Sequence, residues 1–163
     1  MVIDPAVEKP AIESFNRISR ITKYPTTYHL PALFGFGNSI RIKENVMGII
    51  VLGSAASVHD GFSWQEELTS ILEESFENKI PVIGICYGHQ HIAHICGGKV
   101  GPLWDDNKKQ GVRNVKLIKD TLYGDACNGP MIYSHKEGVT EIPKGFEIIA
   151  KSDMVDVDGF VSA

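Results

Sequence analysis

Residues 81–88 read PVIGICYG, and this stretch decides how the chain folds. Its first five residues form a short apolar run, which is typical of a strand covered on both faces in a parallel sheet. The run leads directly into Cys86 and Gly88. A helix with one apolar side is predicted to follow, and the glycine pair at residues 97–98 ends it. The stretch therefore predicts a buried strand, a sharp turn and a helix in immediate succession.

A second apolar run lies upstream, at residues 46–52, and it also predicts a buried strand. Between the two runs, Ser63 followed by Glu66 predicts a capping box at the start of a helix. Five apolar residues recur there at helical spacing: Trp64, Leu68, Ile71, Leu72 and Phe76. Two buried strands with a helix between them predict an α/β fold with a largely parallel central sheet and helices on both faces.

Weaker patterns place the remaining elements. Residues 1–4 predict a first strand. A helix is predicted to run toward Ile21, and Pro10 predicts either a start near Glu8 or a break at the proline. Further strands are predicted at residues 26–30, 99–103, 114–119, 131–134, 146–150 and 157–162. The 163 residues contain no repeat or linker, so we expect a single domain.

Composition excludes several classes of protein. The net charge is -4 and the pI is near 5.8, so the chain has no basic footprint and we expect no nucleic-acid partner. No apolar run approaches the roughly 20 residues of a membrane span, so we expect no membrane contact. The first residues carry no signal-peptide pattern, and the three cysteines are an odd number. Both features predict reduced thiols and a cytoplasmic protein.

The spacing G-x-C-x-G at residues 84–88 is typical of a nucleophile elbow. At such a turn the backbone of Cys86 is strained, and Gly84 and Gly88 avoid clashes between strand and helix. The helix N-terminus favours a thiolate at Cys86. The backbone N–H of Tyr87 is positioned to bind a developing oxyanion.

Other readings of the cysteines and histidines are weaker. Cys96 shares a helix face with Ile92 and Cys127 lies in a turn-rich stretch, so both are predicted to be structural. Cysteines and histidines, which are residue types that bind metals, cluster at residues 86–96. Cys86 and Cys96, however, lie at opposite ends of a helix about 15 Å long. They cannot share one tetrahedral ion. We therefore predict no metal site and no cofactor.

The segment GICYGHQ at residues 84–90 resembles the nucleophile motif of class I glutamine amidotransferases, the triad type with Cys, His and Glu. The resemblance extends along most of the chain. It includes the loop at residues 52–58, GGKV at 97–100, YSHKE at 133–137, IPKGF at 142–146 and AKS at 150–152. It implies a flavodoxin-like three-layer α/β/α fold and is nearest to the glutaminase part of GMP synthase and stand-alone relatives.

The resemblance also implies roles for individual residues. Cys86 would attack the side-chain amide of glutamine to give a glutamyl thioester and ammonia. The N–H groups of Tyr87 and of the Gly53–Ser54 loop would form the oxyanion hole. Substrate would be held by Gln90, Ser134 and His135. The family's second glycine and its proline are absent after Gly53, which leaves the second oxyanion donor open.

The family's general base is a histidine followed two residues later by a glutamate, downstream of the strand at Phe146. Between Phe146 and Ala163 the sequence contains no histidine. We therefore expect a domain over residues 1–163 that is incomplete at its C-terminus, and a chain whose activity is low without that base.

As substitute bases, His89, His91 and His94 are unfavourable, because their side chains are expected to leave the elbow along the helix surface. His135 is the remaining candidate, but it lacks an evident acidic partner to orient it, since Glu137 is two residues on.

Three functions remain open at this point. The first is a glutaminase that passes ammonia to a synthase domain or subunit. The second is a γ-glutamyl peptidase or hydrolase that uses the same thiol on a γ-glutamyl substrate. The third is a catalytically silent regulatory subunit on the same fold.

Overall fold

The computed structural model describes residues 1–37, 45–120 and 125–162. The chain divides into two compact units, Met1–Ile92 and Ala93–Ala163. The first unit contains a parallel sheet with helices, and the second contains antiparallel sheets.

The sheet of the first unit has four strands, and all of their pairings are parallel. The strands are β1 (Val2–Ile3), β2 (Tyr28–His29), β3 (Ile49–Val51) and β4 (Val82–Gly84), in the order β2-β1-β3-β4. The residues of the central strands β1 and β3 are buried, except for Ile50, which is intermediate. The predicted α/β class with a parallel sheet is confirmed.

In the part of the chain that the structure describes, three helices connect these strands, and a fourth follows the last of them. They are α1 (Ile12–Ile21), α2 (Pro31–Phe34), α3 (Ser63–Glu77) and α4 (Tyr87–Ile95). Helix α1 begins only after Pro10, which confirms the break that was one of the two outcomes predicted there. The buried carboxylate of Asp4 accepts the backbone N–H of Ala11 at 2.6 Å and that of Ala6 at 3.2 Å, and so holds the segment that precedes the helix.

Helix α3 begins at Ser63, one residue earlier than the predicted capping box implies, and that capping box is wrong. The residue that reaches back is Gln65, whose Oε1 accepts the backbone N–H of Phe62 at 2.8 Å. Glu66 is exposed on the next position of the helix. The N-cap is therefore Phe62, one residue before Ser63, and the bond back to the N-cap N–H comes from Gln65 rather than from Glu66. Four of the five predicted apolar residues of α3 are buried, and Phe76 is exposed.

Strand β4 differs from the buried strand that its sequence predicts. It occupies the end of the described strand order β2-β1-β3-β4. Ile83 is 40% exposed and Ile85 is 48% exposed. An apolar run predicts a strand that is covered on both faces. Whether that strand lies in the middle or at the end of a sheet depends on which strands pair with it in the folded chain.

The second unit begins in the last turn of α4 and continues as strands. Strands β5 (Lys99–Pro102) and β8 (Glu137–Glu141) form an antiparallel pair. The other four make an antiparallel sheet in the order β10-β9-β6-β7: β6 (Lys109–Leu117), β7 (Asn128–His135), β9 (Phe146–Lys151) and β10 (Gly159–Ser162). The sequence did not predict β8, because Val139 is its only large apolar residue.

Candidate active site

Cys86 occupies the turn between β4 and α4, and its backbone φ is +54°. Few residues other than glycine adopt this left-handed conformation, which costs roughly 1–2 kcal/mol. Backbone bonds hold the turn on both sides. The N–H of Ile85 donates to the carbonyl of Val51 at 2.8 Å, and the N–H of Gln90 donates to the carbonyl of Cys86 at 3.0 Å. The strained turn predicted from the sequence is present.

Gly84 and Gly88 are in positions that admit no side chain. A β-carbon added at Gly84 would lie 2.4 Å from the carbonyl carbon of Gly88. One added at Gly88 would lie 2.4 Å from the carbonyl oxygen of Val51. Both neighbours are backbone atoms, which cannot move aside as a flexible side chain does. The two glycines therefore permit β3, β4 and α4 to meet closely. We call residues 84–88 the elbow.

The elbow places the thiol of Cys86 at the N-terminal end of α4. Tyr87 is the first residue of that helix. Its N–H has no acceptor within the helix, because the first four N–H groups of an α-helix lack one. These N–H groups and the helix dipole favour negative charge at this end. Helix N-termini of this kind are typical places for a thiolate or an oxyanion in proteins.

The loop after β3 lies against the same thiol. A β-carbon added at Gly53 would lie 3.3 Å from Cβ and 3.6 Å from Sγ of Cys86. The hydroxyl of Ser54 donates to the carbonyl of Pro5 at 2.6 Å and accepts the N–H of Ala56 at 3.1 Å. The Ser54 side chain is thus used in holding the loop. The part of the loop that lies beside Cys86 is therefore the backbone of Gly53.

The first unit therefore brings together most of the residues that the sequence singled out. Cys86, Tyr87, Gly53, Ser54, Gly84 and Gly88 meet at the elbow or in the loop beside it. Gln90 lies one turn along α4 from the thiol and is buried.

Ser134 and His135 belong to the second unit, where they end β7. Ser134 is exposed and pairs with Gln110 of β6. The ring of His135 stacks on that of Tyr133, and the two ring centres are 6.3 Å apart. Burial lowers the pKa of His135 below its ordinary value and Arg113 lowers it further, whereas Asp158 acts in the opposite direction.

A buried ion pair stands beside these aromatic rings. Nη2 of Arg113 contacts Oδ1 of Asp158, and the two side chains are 7% and 0% exposed. The guanidinium carbon of Arg113 lies 4.8 Å from the ring centre of Tyr133. Nε and Nη1 of Arg113 and Oδ2 of Asp158 have no hydrogen-bond partner in the described part of the chain. Sequence spacing gave no signal for this pair.

Sequence reasoning also missed a buried hydrogen-bonded chain behind the elbow. Nε2 of Gln65 donates to the carbonyl of Ser57 at 2.7 Å and to the hydroxyl of Tyr87 at 2.8 Å. The same hydroxyl lies 3.1 Å from Nδ1 of His91, whose Nε2 lies 3.0 Å from the hydroxyl of Thr69. One signal was available, namely a glutamine at the third position of a helix, which is typical of a capping box.

Within residues 1–37, 45–120 and 125–162, no three His, Cys, Asp or Glu side chains are grouped so that they could hold a metal ion. No helix in those ranges is long and apolar enough to cross a membrane. All three cysteines are thiols, and Cys127 is the exposed one.

A cysteine in a strained turn between a strand of a parallel sheet and a helix is typical of the class of α/β proteins that have a cysteine at an elbow of this kind. Within that class, the model of the family described as class I glutamine amidotransferase matches residues 19–161. The chain belongs to the class I glutamine amidotransferase family. The match includes most of both compact units.

Relatives agree with this assignment. The chain is 41% identical over 118 residues to GMP synthase [glutamine-hydrolyzing] of Ligilactobacillus salivarius, covering 69% of this chain and 21% of the relative. It is 36% identical over 115 residues to the protein of the same name from Porphyromonas gingivalis, with the same coverage. The chain thus spans about a fifth of the length of these curated relatives.

The fold agrees with solved structures as well. A glutamine amidotransferase from Thermotoga maritima superimposes with a TM-score of 0.81 at 19% identity, covering 99% of this chain and 71% of that one. A glutamine amidotransferase from Methylobacillus flagellatus gives 0.75 at 20% identity, covering 99% and 64%. At such identities the likeness concerns the fold, and it confirms the predicted fold class.

Proposed function

We propose that this chain hydrolyses the side-chain amide of glutamine through a covalent intermediate on Cys86. One observation carries the proposal. In a class I glutamine amidotransferase chain, Cys86 has a left-handed backbone at the start of α4, with the backbone of Gly53 against its side chain. A strained, glycine-flanked turn is retained at the expense of stability, which is typical of a residue that performs chemistry.

The reaction has two steps. The Cys86 thiolate forms a bond to the amide carbon, and the carbonyl electron pair moves to oxygen. That pair returns as the carbon–nitrogen bond breaks, and the nitrogen leaves as ammonia after taking the proton that the thiol lost in forming the thiolate. Water then attacks the glutamyl thioester, giving glutamate and restoring the thiol.

The developing negative charge on oxygen is stabilised by N–H groups that are in position before the reaction begins. We propose the N–H of Tyr87 and those of the Gly53–Ser54 loop as donors, supported by the helix start at Tyr87 and the close approach of Gly53. A single such donor is worth roughly 10²–10³-fold in kcat. Gln90, Ser134 and His135 are proposed to hold the substrate, on the strength of the family motif.

The acceptor of the ammonia lies in a synthase domain or subunit. Support comes from the relatives named GMP synthase [glutamine-hydrolyzing], of which this chain spans about a fifth. We propose that residues 1–163 contribute one amidotransferase domain to such an assembly. The three thiols support a reducing compartment, and we propose the cytoplasm.

The general base has no assignment among these residues. General acid–base help is worth roughly 10²–10⁴-fold per step. We therefore propose that the 163 residues alone turn over glutamine slowly and that the natural full-length protein turns it over faster.

The test is ammonia release from glutamine, measured for the 163-residue chain and for the natural full-length protein with its synthase partner. Cys86→Ala is expected to abolish release, whereas Cys127→Ala, at an exposed thiol, leaves it unchanged. Faster release of amine from a γ-glutamyl peptide than from glutamine would replace the proposal with a γ-glutamyl hydrolase. Absence of release from either substrate by the full-length protein would favour a silent regulatory subunit.

A further inference from the structure

The two elements that flank the thiol are tied together by one side chain. Gln65, on the first turn of α3, is buried and uses every polar atom of its amide. Its oxygen accepts the N–H of Phe62, and its nitrogen donates to the carbonyl of Ser57 and to the hydroxyl of Tyr87. Ser57 belongs to the loop that begins at Gly53, and Tyr87 opens the elbow helix.

The bond to Tyr87 continues into a hydrogen-bonded chain. Since the amide nitrogen of Gln65 can only donate, the Tyr87 oxygen accepts from it, and the same hydroxyl lies 3.1 Å from Nδ1 of His91. Nε2 of His91 lies 3.0 Å from the hydroxyl of Thr69. Thr69 lies one turn beyond Gln65 on α3, so Tyr87 is held to the same helix from two sides.

The electrostatic setting keeps the Tyr87 hydroxyl protonated. Burial raises the pKa of Tyr87 above its ordinary value, although the hydrogen bond from Gln65 acts against the shift. Asp60 raises this pKa as well. The hydroxyl therefore remains neutral near neutral pH and is able to take part in this chain.

The ring of Tyr87 is enclosed as well as bonded. Its centre lies 5.6 Å from that of Trp64 and 5.5 Å from that of His91. The side chain is 0% exposed. A ring held in this way fixes the position of its own backbone, including the N–H at the start of α4.

We propose that Gln65 is a positioning residue for the amide hydrolysis, because it sets the distance between the Gly53–Ser54 loop and the N–H of Tyr87. The inference rests on the proposed function. Gln65 does not touch the reacting atoms, and it acts by holding the two backbone segments that bind the oxyanion. Small displacements of such donors are costly, since a shift of about 1 Å reduces rates by roughly 10²-fold.

The experiment separates thiol reactivity from oxyanion binding in the full-length protein. Iodoacetamide alkylates Cys86 by displacing iodide and forms no oxyanion. The γ-aldehyde analogue of glutamine adds the Cys86 sulfur to its carbonyl carbon and places the electron pair on oxygen, in the proposed oxyanion hole. The variant is Gln65→Met, which keeps the length of the side chain and removes all three hydrogen bonds. The matched control is Glu66→Gln, an exposed neighbour on the same helix.

For Gln65→Met we expect kcat and affinity for the aldehyde to fall about 10–100-fold. KM and the rate of Cys86 alkylation should stay within about threefold, because the thiol and the remaining substrate contacts are unchanged. Glu66→Gln should match the wild type in all four measurements. Near-UV circular dichroism establishes that the variant is folded. Where Gln65→Met does not fold, Gln65→Glu replaces it, because a carboxylate still accepts from Phe62 but cannot donate to Ser57 or Tyr87.

Two results would overturn the proposal. One is a folded variant whose kcat and aldehyde affinity stay within about threefold of the wild type. The other is a parallel fall in aldehyde affinity and alkylation rate, since that places the defect at the thiol. A failure of the proposed function looks different, because the wild type itself would then neither release ammonia nor form a Cys86 adduct with the aldehyde.

Discussion

The backbone of Gly53 faces the side chain of Cys86, and a β-carbon added to it would lie 3.3 Å from Cβ and 3.6 Å from Sγ of the cysteine. The first distance is tighter than ordinary van der Waals contact, so any larger side chain at residue 53 crowds the thiol. This relationship joins the loop after β3 to the elbow.

Substitution at Gly53 should therefore close access to the thiol. Gly53→Val places two further carbons near Sγ, and we expect alkylation of Cys86 by iodoacetamide to slow by about tenfold or more. Alkylation of Cys127 serves as the internal reference in the same sample. Unchanged Cys86 labelling in a folded variant would contradict the close approach of the loop.

Replacing a glycine of the elbow should lower the free energy of unfolding. Gly88→Ala directs a β-carbon to within 2.4 Å of the Val51 carbonyl oxygen, and we expect a loss of roughly 2–4 kcal/mol in the free energy of unfolding. Gly129→Ala is the matched control, because an added β-carbon there meets nothing within 4 Å. Urea unfolding of both variants measures the difference, and equal stability of the two would refute the clash.

The buried pair of Arg113 and Asp158 should show strong coupling. Removing either charge leaves the other buried and uncompensated, at a cost of roughly 3–5 kcal/mol. We expect the double variant Arg113→Met with Asp158→Leu to be more stable than either single variant. A double-mutant cycle by urea unfolding measures the coupling. Additive losses would indicate that the two side chains do not depend on each other.

An exposed ion pair provides the comparison for that cycle. Lys99 and Glu141 are bonded but are 70% and 60% exposed at their side chains. Solvent screens such pairs, so Lys99→Met should change the free energy of unfolding by no more than about 0.5 kcal/mol.

His135 should make stability depend on pH in a defined direction. Its folded-state pKa is lowered, first by burial and then by Arg113, so near pH 6 the unfolded state binds more protons than the folded state. The stabilisation is present above the unfolded pKa of about 6.5 and is lost as pH falls toward the folded value. In His135→Gln, the loss of stability between about pH 7.5 and pH 5.5 should be smaller than in the wild type. Urea unfolding at several pH values tests this, and an equal or larger loss in the variant would reverse the sign. His29, whose pKa is also lowered by burial, remains in both proteins and cancels in the comparison.

Local patterns in the sequence were sufficient for the α/β class, the order of most strands and helices, and the elbow at residues 84–88. These features depend on neighbours within one or two turns of the chain. A glycine two residues before and two after Cys86 is a steric requirement of the turn itself, and the apolar run at residues 46–52 needs only burial to become a strand.

Only the tertiary structure decided the features that depend on partners far along the chain. Strand β4 lies at the end of the described strand order because of which strands pair with it, although its apolar run predicts a buried strand. Val139 makes a strand of β8 because it pairs with Val100. Gln65 makes the capping bond predicted for Glu66, because the helix begins one residue earlier than predicted. The amide of Gln65 also bonds to Ser57 and Tyr87. Arg113 and Asp158 lie 45 residues apart in the chain, and only the folding of the second unit brings them into contact. Burial and hydrogen-bond pairing between distant residues are properties of the folded chain, and no local spacing encodes them.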